Sequence, residues 1–327
     1  MRISVLGCGR WGSFIAWYLA NKGYDVYSWG PEEDYSYQVL RDTGKNEYVT
    51  LDSRIRLTCD LKEAVEHGDI IIISISSQGL RGFMQRINAY DVSQKNFVLC
   101  MKGIEISTGC RLSEVLTQSG IDPMRIAVWV GPGHIQAFTQ GIPNCMVIDS
   151  QNDTLKRYLA DNFKSDLIRF YYGDDLIGTE IGAAAKNVMG IIAGVLDGCG
   201  YVSLKGPLMS RGAREVARLI KAMGGNELSA YGLAHLGDYE TTLFSEYSHN
   251  RMYGEMLVKG TKFSKLAEGV STSKAMKYLG EKYGVDLPLT NAVYEVCYSE
   301  GTIDYRQKCL DLIPQLMSRD TKTEFYQ

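Results

Sequence analysis

RISVLGCGRWGSFIAWYLANKGYDVYSWG, residues 2–30, changes its hydrophobic period twice within one short stretch. Residues 3–6 form an apolar run of strand length, a glycine-rich turn follows, and a helical pattern then runs from about residue 11 to residue 21. Gly23 ends that helix, and DVYSW at 25–29 predicts a second strand. The stretch is therefore one β-α-β unit.

The turn inside this unit follows the pattern G-x-G-x-x-G, from Gly7 through Gly9 to Gly12. The first glycine permits the tight turn, the second allows a pyrophosphate to approach the backbone, and the third lets helix and strand pack closely. The amino end of the helix then faces the anion. In this position the pattern predicts dinucleotide binding, and a turn kept only for packing is the alternative.

The rest of the first half repeats the alternation of strands and helices. Further buried strands are predicted at 70–75, 97–101, 126–130 and 145–148, and a last apolar piece lies at 167–172. Helical patterns such as LKEAVEHG and LRGFMQRINAY lie between several of them. This alternation predicts an α/β fold of the Rossmann type, with a parallel-rich sheet and helices on both faces.

The second half has a different rhythm, because strands vanish from about residue 178. Long helical patterns occupy 178–198, 206–223, about 227–236, 249–259, 271–284 and 288–299. We therefore expect two domains, a dinucleotide-binding domain over residues 1–178 and an all-α substrate and catalytic domain over 179–327. A cleft between the two is where we expect cofactor and substrate to meet.

Composition excludes several classes of function. The 327 residues are 45% hydrophobic and 22% charged with a net charge of −3, so there is no basic excess to bind a nucleic-acid backbone. The longest apolar runs are strand-length, which predicts no membrane span. Eight scattered cysteines without C-x-x-C spacing and four dispersed histidines predict no metal site and fit a reducing cytoplasm.

One lysine lies in an unexpected setting. GTEIGAAAKNVMGIIAG, residues 178–194, is apolar nearly all round and predicts a buried helix, yet Lys186 and Asn187 lie in its middle. Burial lowers the pKa of a lysine unless an anion compensates. Lys186 is therefore either paired structurally or prepared for proton transfer.

Six segments stand out together: LGCGRWG (6–12), MKGIE (101–105), VGPGHIQAFTQGIP (130–143), GTEIGAAAKN (178–187), LAHLGDYETT (233–242) and SHNRMYG (248–254). In order and spacing this set resembles the NAD(P)-dependent glycerol-3-phosphate dehydrogenase family, and the resemblance covers nearly the whole chain. It implies an N-terminal Rossmann-type domain, a helical C-terminal domain and a cytoplasmic homodimer.

The chemistry of that family gives Lys186 a role. Reducing a ketone by hydride transfer places negative charge on its oxygen, which a positioned proton donor stabilises. The resemblance assigns this donor to Lys186, a second cation at substrate and nicotinamide to Lys102, and a carboxylate that pairs with a lysine to Asp238. Two nearby cations lower each other's pKa, which favours proton exchange near neutral pH.

The resemblance also implies a set of binding residues. The implied cofactor contacts are Gly7, Gly9, Arg10, Trp11, Gly12, Lys102, Ile135 and Glu268. The implied substrate contacts are Lys102, Gly131, Lys186, Asn187, Asp238, Thr242, Ser248, His249 and Asn250. Four of these residues have alternative structural roles. Asn187 could pair helices through its amide, and Thr242 could be a turn or cap residue. Trp11 could be a core aromatic and Glu268 a helix cap.

The choice between NAD and NADP is set near the end of the second strand. That region reads SWGPEED, residues 28–34, in which Glu32 and Glu33 are placed to accept from a ribose 2′-hydroxyl. No basic residue lies within several positions, so the segment favours NAD, with NADP still open. The alternative is that both glutamates belong to a solvated loop.

The sequence departs from the family pattern at three places around the expected substrate. His249 stands where the family has an arginine that clamps the substrate phosphate, and Arg251 and Lys205 are candidates to compensate. VGPGHIQAF lacks a serine before Gly131, a serine or threonine at position 133 and an acid near position 137, and His134 is a candidate to fill the gap. The segment 199–204 lacks the usual glycine-aspartate-asparagine.

Three functions follow from these patterns. The leading hypothesis is interconversion of sn-glycerol 3-phosphate and dihydroxyacetone phosphate with NAD or NADP, supplying glycerol 3-phosphate for phospholipids. The second is the same hydride chemistry on another small hydroxy compound, since the departures cluster around the substrate. The third is a dinucleotide-binding sensor without catalysis, which the presence of Lys102, Lys186 and Asp238 argues against.

Overall fold

The computed structural model describes residues 1–299 and 303–324. Its contacts divide the chain into two units. The sheet unit consists of Met1–Met101 and Leu112–Leu176, and the helical unit of Lys102–Arg111 and Ile177–Gln327. The short segment Lys102–Arg111, called the excursion below, thus lies with the helices although sheet residues flank it on both sides. The single domain boundary predicted from the sequence near residue 178 does not account for the excursion.

The sheet unit contains an eight-stranded sheet. Its strands are β1 (Arg2–Leu6), β2 (Asp25–Trp29), β3 (Arg56–Thr58), β4 (Ile70–Ile73), β5 (Asn96–Leu99), β6 (Ile126–Val130), β7 (Asn144–Asp149) and β8 (Ile168–Tyr172). Their spatial order is β3-β2-β1-β4-β5-β6-β7-β8, and only the β6–β7 pair is antiparallel among these neighbours. Strand order reverses at β1, which is where α/β sheets bind ligands. The predicted parallel-rich sheet is confirmed.

Seven helices complete the sheet unit: α1 (Arg10–Asn21), α2 (Tyr35–Thr43), α3 (Leu61–His67), α4 (Leu80–Ile87), α5 (Leu112–Gln118), α6 (Ile135–Thr139) and α7 (Asp153–Phe163). Asp34, Asp60 and Asn152 start α2, α3 and α7 by accepting backbone N–H groups with their side chains. β4, which consists of isoleucine alone, and β6 are buried along their whole length. Such strands need cover on both faces.

The helical unit contains α8 (Leu176–Cys199), α9 (Lys205–Ala222), α10 (His249–Val258), α11 (Glu268–Tyr283), α12 (Pro288–Cys297) and α13 (Tyr305–Met317). The predicted all-α second half is confirmed, with α13 as an addition. The helix expected at 227–236 is wrong. Two 3₁₀ turns, Glu227–Tyr231 and Leu236–Asp238, occupy that region, and a π-helical turn, Glu240–Phe244, follows them. Gly232 and Gly237 fall inside that stretch, and glycine disfavours a continuous α-helix.

α8 is the central helix of the helical unit. By length and composition it could cross a membrane, but 89% of its most apolar window is buried inside the structure. Gly190, Gly194 and Gly198 are spaced four residues apart and therefore lie on one side of the helix. A Cβ on Gly194 would lie 1.9 Å from the carbonyl oxygen of Arg251, and one on Gly254 of α10 would lie 2.1 Å from that of Ile191. The glycines thus let α8 and α10 approach backbone to backbone.

Candidate active site

The glycine turn connects β1 to α1 in the sheet unit. Gly7 has a φ of +112°, and a Cβ there would lie 2.2 Å from the carbonyl oxygen of Ser74. A Cβ on Gly12 would lie 1.8 Å from the carbonyl oxygen of Gly7. Gly9 is the N-cap residue of α1 and has no side chain to cap it. The first amides of the helix are therefore open to an anion, as dinucleotide binding requires.

A cavity of about 500 Å³ adjoins this turn, a size typical of small-ligand sites. Besides the turn, its lining includes Trp29 at the end of β2, Asp34 and Arg86. The guanidinium of Arg86 lies 5.5 Å from the centre of the Trp29 ring. Glu32 and Glu33, the predicted ribose acceptors, are exposed and are absent from this lining. The acid that reaches the cavity is Asp34, whose Oδ1 caps α2.

The other predicted cofactor residues of the sheet unit have mixed surroundings. Arg10 lies with its guanidinium 5.4 Å from the centre of the Tyr48 ring. The ring of Trp11 is half-buried, and its centre lies 5.2 Å from the centre of the Phe14 ring. Packing against the core therefore explains part of its placement. Ile135 is fully buried in the core. A dinucleotide could therefore meet Ile135 only through its backbone.

Two lysines and one carboxylate meet in the helical unit. Lys186 lies on α8, Lys102 begins the excursion, and Asp238 ends the second 3₁₀ turn. The Oδ2 atom of Asp238 lies 2.7 Å from Nζ of Lys102 and 2.7 Å from Nζ of Lys186. Asp238 is fully buried, and Thr241 donates its hydroxyl to the other carboxylate oxygen. The predicted pairing of Asp238 with a lysine is thus present with both, and we call these three residues the lysine–aspartate cluster.

Burial and the neighbouring charges shift the pKa values of Lys186 and Asp238. Burial lowers the pKa of Lys186 to about 7, an effect that Asp238 opposes and the Lys102 ammonium reinforces. Burial alone would raise the pKa of Asp238, but the two ammonium groups outweigh it and lower that pKa below its ordinary value. Lys186 therefore exchanges its proton near neutral pH, while Asp238 remains a carboxylate.

A buried histidine, His235, lies close to the cluster in the same segment as Asp238. His235 donates from Nδ1 to the carbonyl of Gly182 at 2.8 Å, which leaves Nε2 to accept from the Tyr239 hydroxyl at 2.7 Å. Burial lowers the pKa of His235 to about 4, so the ring is neutral at physiological pH. It therefore adds no third positive charge beside Lys186.

Hydrogen bonds join several of the predicted substrate residues. Lys186 donates to the hydroxyl of Thr242 at 2.9 Å. Asn187 donates to the carbonyl of Lys102 at 3.1 Å and accepts from the side chain of Asn250 at 3.0 Å. Asn250 in turn accepts from the backbone N–H of Gly269 at 2.9 Å. Both asparagine side chains thus fasten α8 to the excursion, α10 and α11, which agrees with the structural alternative for Asn187.

The amino end of α10 carries Ser248, which caps the helix, and His249, its first residue. The ring of His249 lies 6.1 Å from that of Phe263. Arg251 binds Asp197 at 2.7 Å and Glu255 at 3.0 Å.

Lys205 binds the same Asp197 at 2.7 Å and also donates to the carbonyl of Leu243. Arg251 and Lys205 are therefore bound to protein acceptors. That they compensate for the missing family arginine stays a prediction.

The local structure accounts for the glycine at position 133 and for two further predicted contact residues, Gly131 and Glu268. A Cβ on Gly133 would lie 2.4 Å from the ring of Phe138, so a serine or threonine there requires that ring to move. Gly131, at φ +130°, would bring a Cβ to 3.0 Å from Cα of Met146. Glu268 is the first residue of α11, a favourable position for an acid at a helix amino end. Its placement therefore fits the structural alternative as well.

Sequence reasoning missed three features of the site. The shared use of Asp238 by two lysines and the support from His235 were not anticipated, although LAHLGDYETT contains both residues. Arg111 and Glu180, which form a buried ion pair, were also missed. The signal was available in Glu180, an acidic residue on the apolar helix. Among residues 1–299 and 303–324 no cluster of metal-ligating side chains is found.

A dinucleotide-type glycine turn on a parallel-rich sheet, together with a buried ammonium–carboxylate cluster on a helical unit, defines a nicotinamide-dependent dehydrogenase. Comparisons with known proteins narrow this class. The family model described as NAD-dependent glycerol-3-phosphate dehydrogenase N-terminus matches residues 2–156, and the one for the C-terminus matches residues 175–306. The chain belongs to this family.

Relatives and solved structures agree. A protein of Prosthecochloris aestuarii named glycerol-3-phosphate dehydrogenase, NAD(P)+, is 36% identical and covers 99% of this chain and 100% of its own length. A protein of the same name from Bacillus pumilus is 35% identical, over 97% and 94%. The crystal structure of glycerol-3-phosphate dehydrogenase from Coxiella burnetii is 27% identical with a TM-score of 0.88, over 97% of this chain and 98% of that one.

Proposed function

We propose that this protein interconverts sn-glycerol 3-phosphate and dihydroxyacetone phosphate, with NAD or NADP as hydride carrier. Membership of the family and the named relatives support the reaction. The observation that carries the chemistry is Lys186, whose ammonium lies 2.7 Å from Asp238 and whose pKa is lowered to about 7. A group with such a pKa can give and take a proton near neutral pH.

The proposed mechanism uses the cluster as an acid and its support. The bound nicotinamide supplies the hydride that the carbonyl carbon receives. Lys186 gives its proton to the carbonyl oxygen, so that the ketone becomes an alcohol and the ammonium becomes a neutral amine. Asp238 holds the lysine by charge, and the hydroxyl of Thr242 orients Nζ at 2.9 Å. Solvent returns the proton to Lys186 before the next turnover.

Lys102 is the second proposed catalytic cation. Its ammonium shares Asp238 with Lys186, and its side chain is more exposed, at 20% against 9%. It is therefore the better placed of the two to attract an anionic substrate. Its positive charge also keeps the pKa of Lys186 low.

We propose the binding roles in the same division. The cofactor binds the glycine turn and its neighbouring cavity within residues 1–178, and the substrate binds residues 179–327 together with the excursion and Gly131. The proposed substrate contacts are the lysine–aspartate cluster, Gly131, Asn187, Thr242, Ser248, His249 and Asn250. Further proposals are a homodimer in the cytoplasm and a supply of glycerol 3-phosphate for phospholipids. Sedimentation of the purified chain tests the dimer.

A panel of ketones tests the substrate. Dihydroxyacetone phosphate, dihydroxyacetone and other small phosphorylated or carboxylated ketones are mixed with enzyme and either NADH or NADPH, and the loss of absorbance at 340 nm is followed. We expect dihydroxyacetone phosphate to give the highest kcat/KM. Rapid turnover of another ketone with none of dihydroxyacetone phosphate would favour the second candidate function. The departures from the family pattern at His249 and Gly133 are the observations that favour this second candidate.

The pH dependence should have opposite signs in the two directions. Ketone reduction needs Lys186 protonated, so kcat should fall as pH rises through about 7, whereas alcohol oxidation needs the neutral amine and should become faster over the same range. Profiles of kcat against pH in both directions measure this. The same sign in both directions would contradict a proton-donating Lys186.

Replacing His249 with arginine should restore a permanent charge at the amino end of α10. We expect His249→Arg to lower KM for dihydroxyacetone phosphate by about 10- to 100-fold, because a bidentate charge-assisted contact replaces a weaker one. His249→Gln, which is neutral at every pH, is the matched control and should not lower KM. Initial-rate kinetics measure both. An unchanged KM in His249→Arg would mean that the phosphate binds elsewhere.

A further inference from the structure

The excursion is a compact turn packed into the helical unit. The backbone N–H of Glu105 donates to the carbonyl of Cys110 at 3.0 Å, and Ile104 pairs with Arg111 as an antiparallel bridge. Ile104 is fully buried in the core of the helical unit. Gly109 has a φ of +71°, and a Cβ there would lie 2.8 Å from the ring of Tyr278. The excursion is therefore held by specific contacts along its length.

Its two ends carry cations, and each binds a carboxylate of the helical unit. Lys102 binds Asp238, as described above. Arg111 binds Glu180 of α8 at 2.6 Å, and the side chains of this pair are only 8% and 6% exposed. The antiparallel bridge places Arg111 directly opposite Ile104, two residues from Lys102. We therefore expect a displacement of Arg111 to move the segment that carries Lys102.

The same helix carries both ends of this connection. Glu180 and Lys186 are six residues apart on α8, about 9 Å along the helix axis. The excursion is fastened at Glu180 by an ion pair and near Lys186 by the hydrogen bond from Asn187 to the carbonyl of Lys102. A buried ion pair contributes little net stability compared with apolar residues, but it defines a geometry, since moving one partner strands the other charge.

We propose that the buried Arg111–Glu180 ion pair is a positioning device that holds Lys102 against Asp238, so that one carboxylate is shared by two ammonium groups. The inference deepens the proposed function and rests on it. Arg111 and Glu180 are positioning residues, because they act through Lys102. Their loss releases Lys102 from Asp238.

The consequence is a shift in the titration of Lys186. The groups that face its ammonium are Asp238, Lys102, the neutral His235 behind Asp238 and the hydroxyl of Thr242. Asp238 raises the pKa of Lys186 and Lys102 lowers it. Once Lys102 moves away, Asp238 serves Lys186 alone and the pKa of Lys186 rises. Ketone reduction, which needs protonated Lys186, then stays fast up to a higher pH.

Two single variants and one exchange test the proposal. Arg111→Met and Glu180→Gln should lower kcat by about 10- to 100-fold, which is the effect of a displacement of about 1 Å in a catalytic group. The pH at which ketone reduction is half lost should rise by about one unit. The double variant Arg111→Glu with Glu180→Arg restores the pair in reverse and should recover most of kcat. Arg319→Met, which removes a half-exposed pair with Asp286, is the matched control and should change neither quantity.

A second measurement does not depend on turnover. The rate at which acetic anhydride labels Lys186 is followed by mass spectrometry over a range of pH, and its midpoint should rise in Arg111→Met. If the proposed reaction were wrong, no ketone would be reduced while this midpoint still moved. Folded variants in which neither midpoint moves would overturn the proposal. If Arg111→Met does not fold, Arg111→Lys and Glu180→Asp, which keep the charges but shorten their reach, must show the same upward shift.

Discussion

Replacing Lys186 with methionine is expected to lower kcat for ketone reduction by about 10³-fold, within the range that a positioned general acid contributes. Methionine keeps an apolar side chain of similar length but removes the ammonium that lies 2.7 Å from Asp238. Asp238 keeps Lys102 as its partner, so no buried carboxylate is stranded. The dissociation constant of the cofactor should stay within about threefold, because the glycine turn belongs to the sheet unit. Steady-state kinetics and cofactor titration measure both quantities.

Lys265→Met provides the control, since Lys265 is an exposed lysine of the same unit. It should retain the kcat of the parent protein. Circular dichroism establishes that both variants are folded. A folded Lys186→Met protein with unchanged kcat would remove the proposed role of this lysine and would require another group as proton donor.

Replacing Gly194 with alanine is expected to lower the free energy of unfolding by about 3 kcal/mol or more, at the upper end of the cost of overpacking. The added Cβ would lie 1.9 Å from the carbonyl oxygen of Arg251 and 2.8 Å from the backbone nitrogen of Glu255. Both are backbone atoms, so no side-chain rotation relieves the collision and the two helices must separate. Urea unfolding followed by circular dichroism measures the loss.

Gly206→Ala is the matched control, because Gly206 is also a helix residue, on α9, but is exposed and has nothing within 4 Å of its added Cβ. This variant should lose no stability, because the added methyl group meets no neighbour and alanine is a better helix former than glycine. Equal changes in the two variants would mean that close packing of α8 on α10 does not explain the glycines.

The elements that sequence predicts well are those with a local signal. The β-α-β unit at the amino end, the buried strands and the long helix α8 all have a hydrophobic period or a glycine pattern of their own. The antiparallel pairing of β7 with β6 and the return of residues 102–111 to the helical unit depend on contacts between distant residues. No short window of sequence contains that information.

The site divides in the same manner. The burial of Lys186 is predictable because the helix around it is apolar, and resemblance to a family predicts that Asp238 pairs with a lysine. The binding of Arg251 and Lys205 to Asp197 is not predictable, since it joins three elements in space. The collision of a Cβ at Gly133 with the ring of Phe138 is likewise visible only in three dimensions.

The sharing of one carboxylate by two ammonium groups also determines the net charge of the lysine–aspartate cluster. While Lys186 is protonated the trio carries one positive charge, and in the proposed mechanism it carries none once the proton has passed to the substrate. An anion is therefore drawn in before hydrogen transfer and held less strongly afterwards. In the direction of ketone reduction, the chemical step itself loosens the grip on the alcohol that it makes.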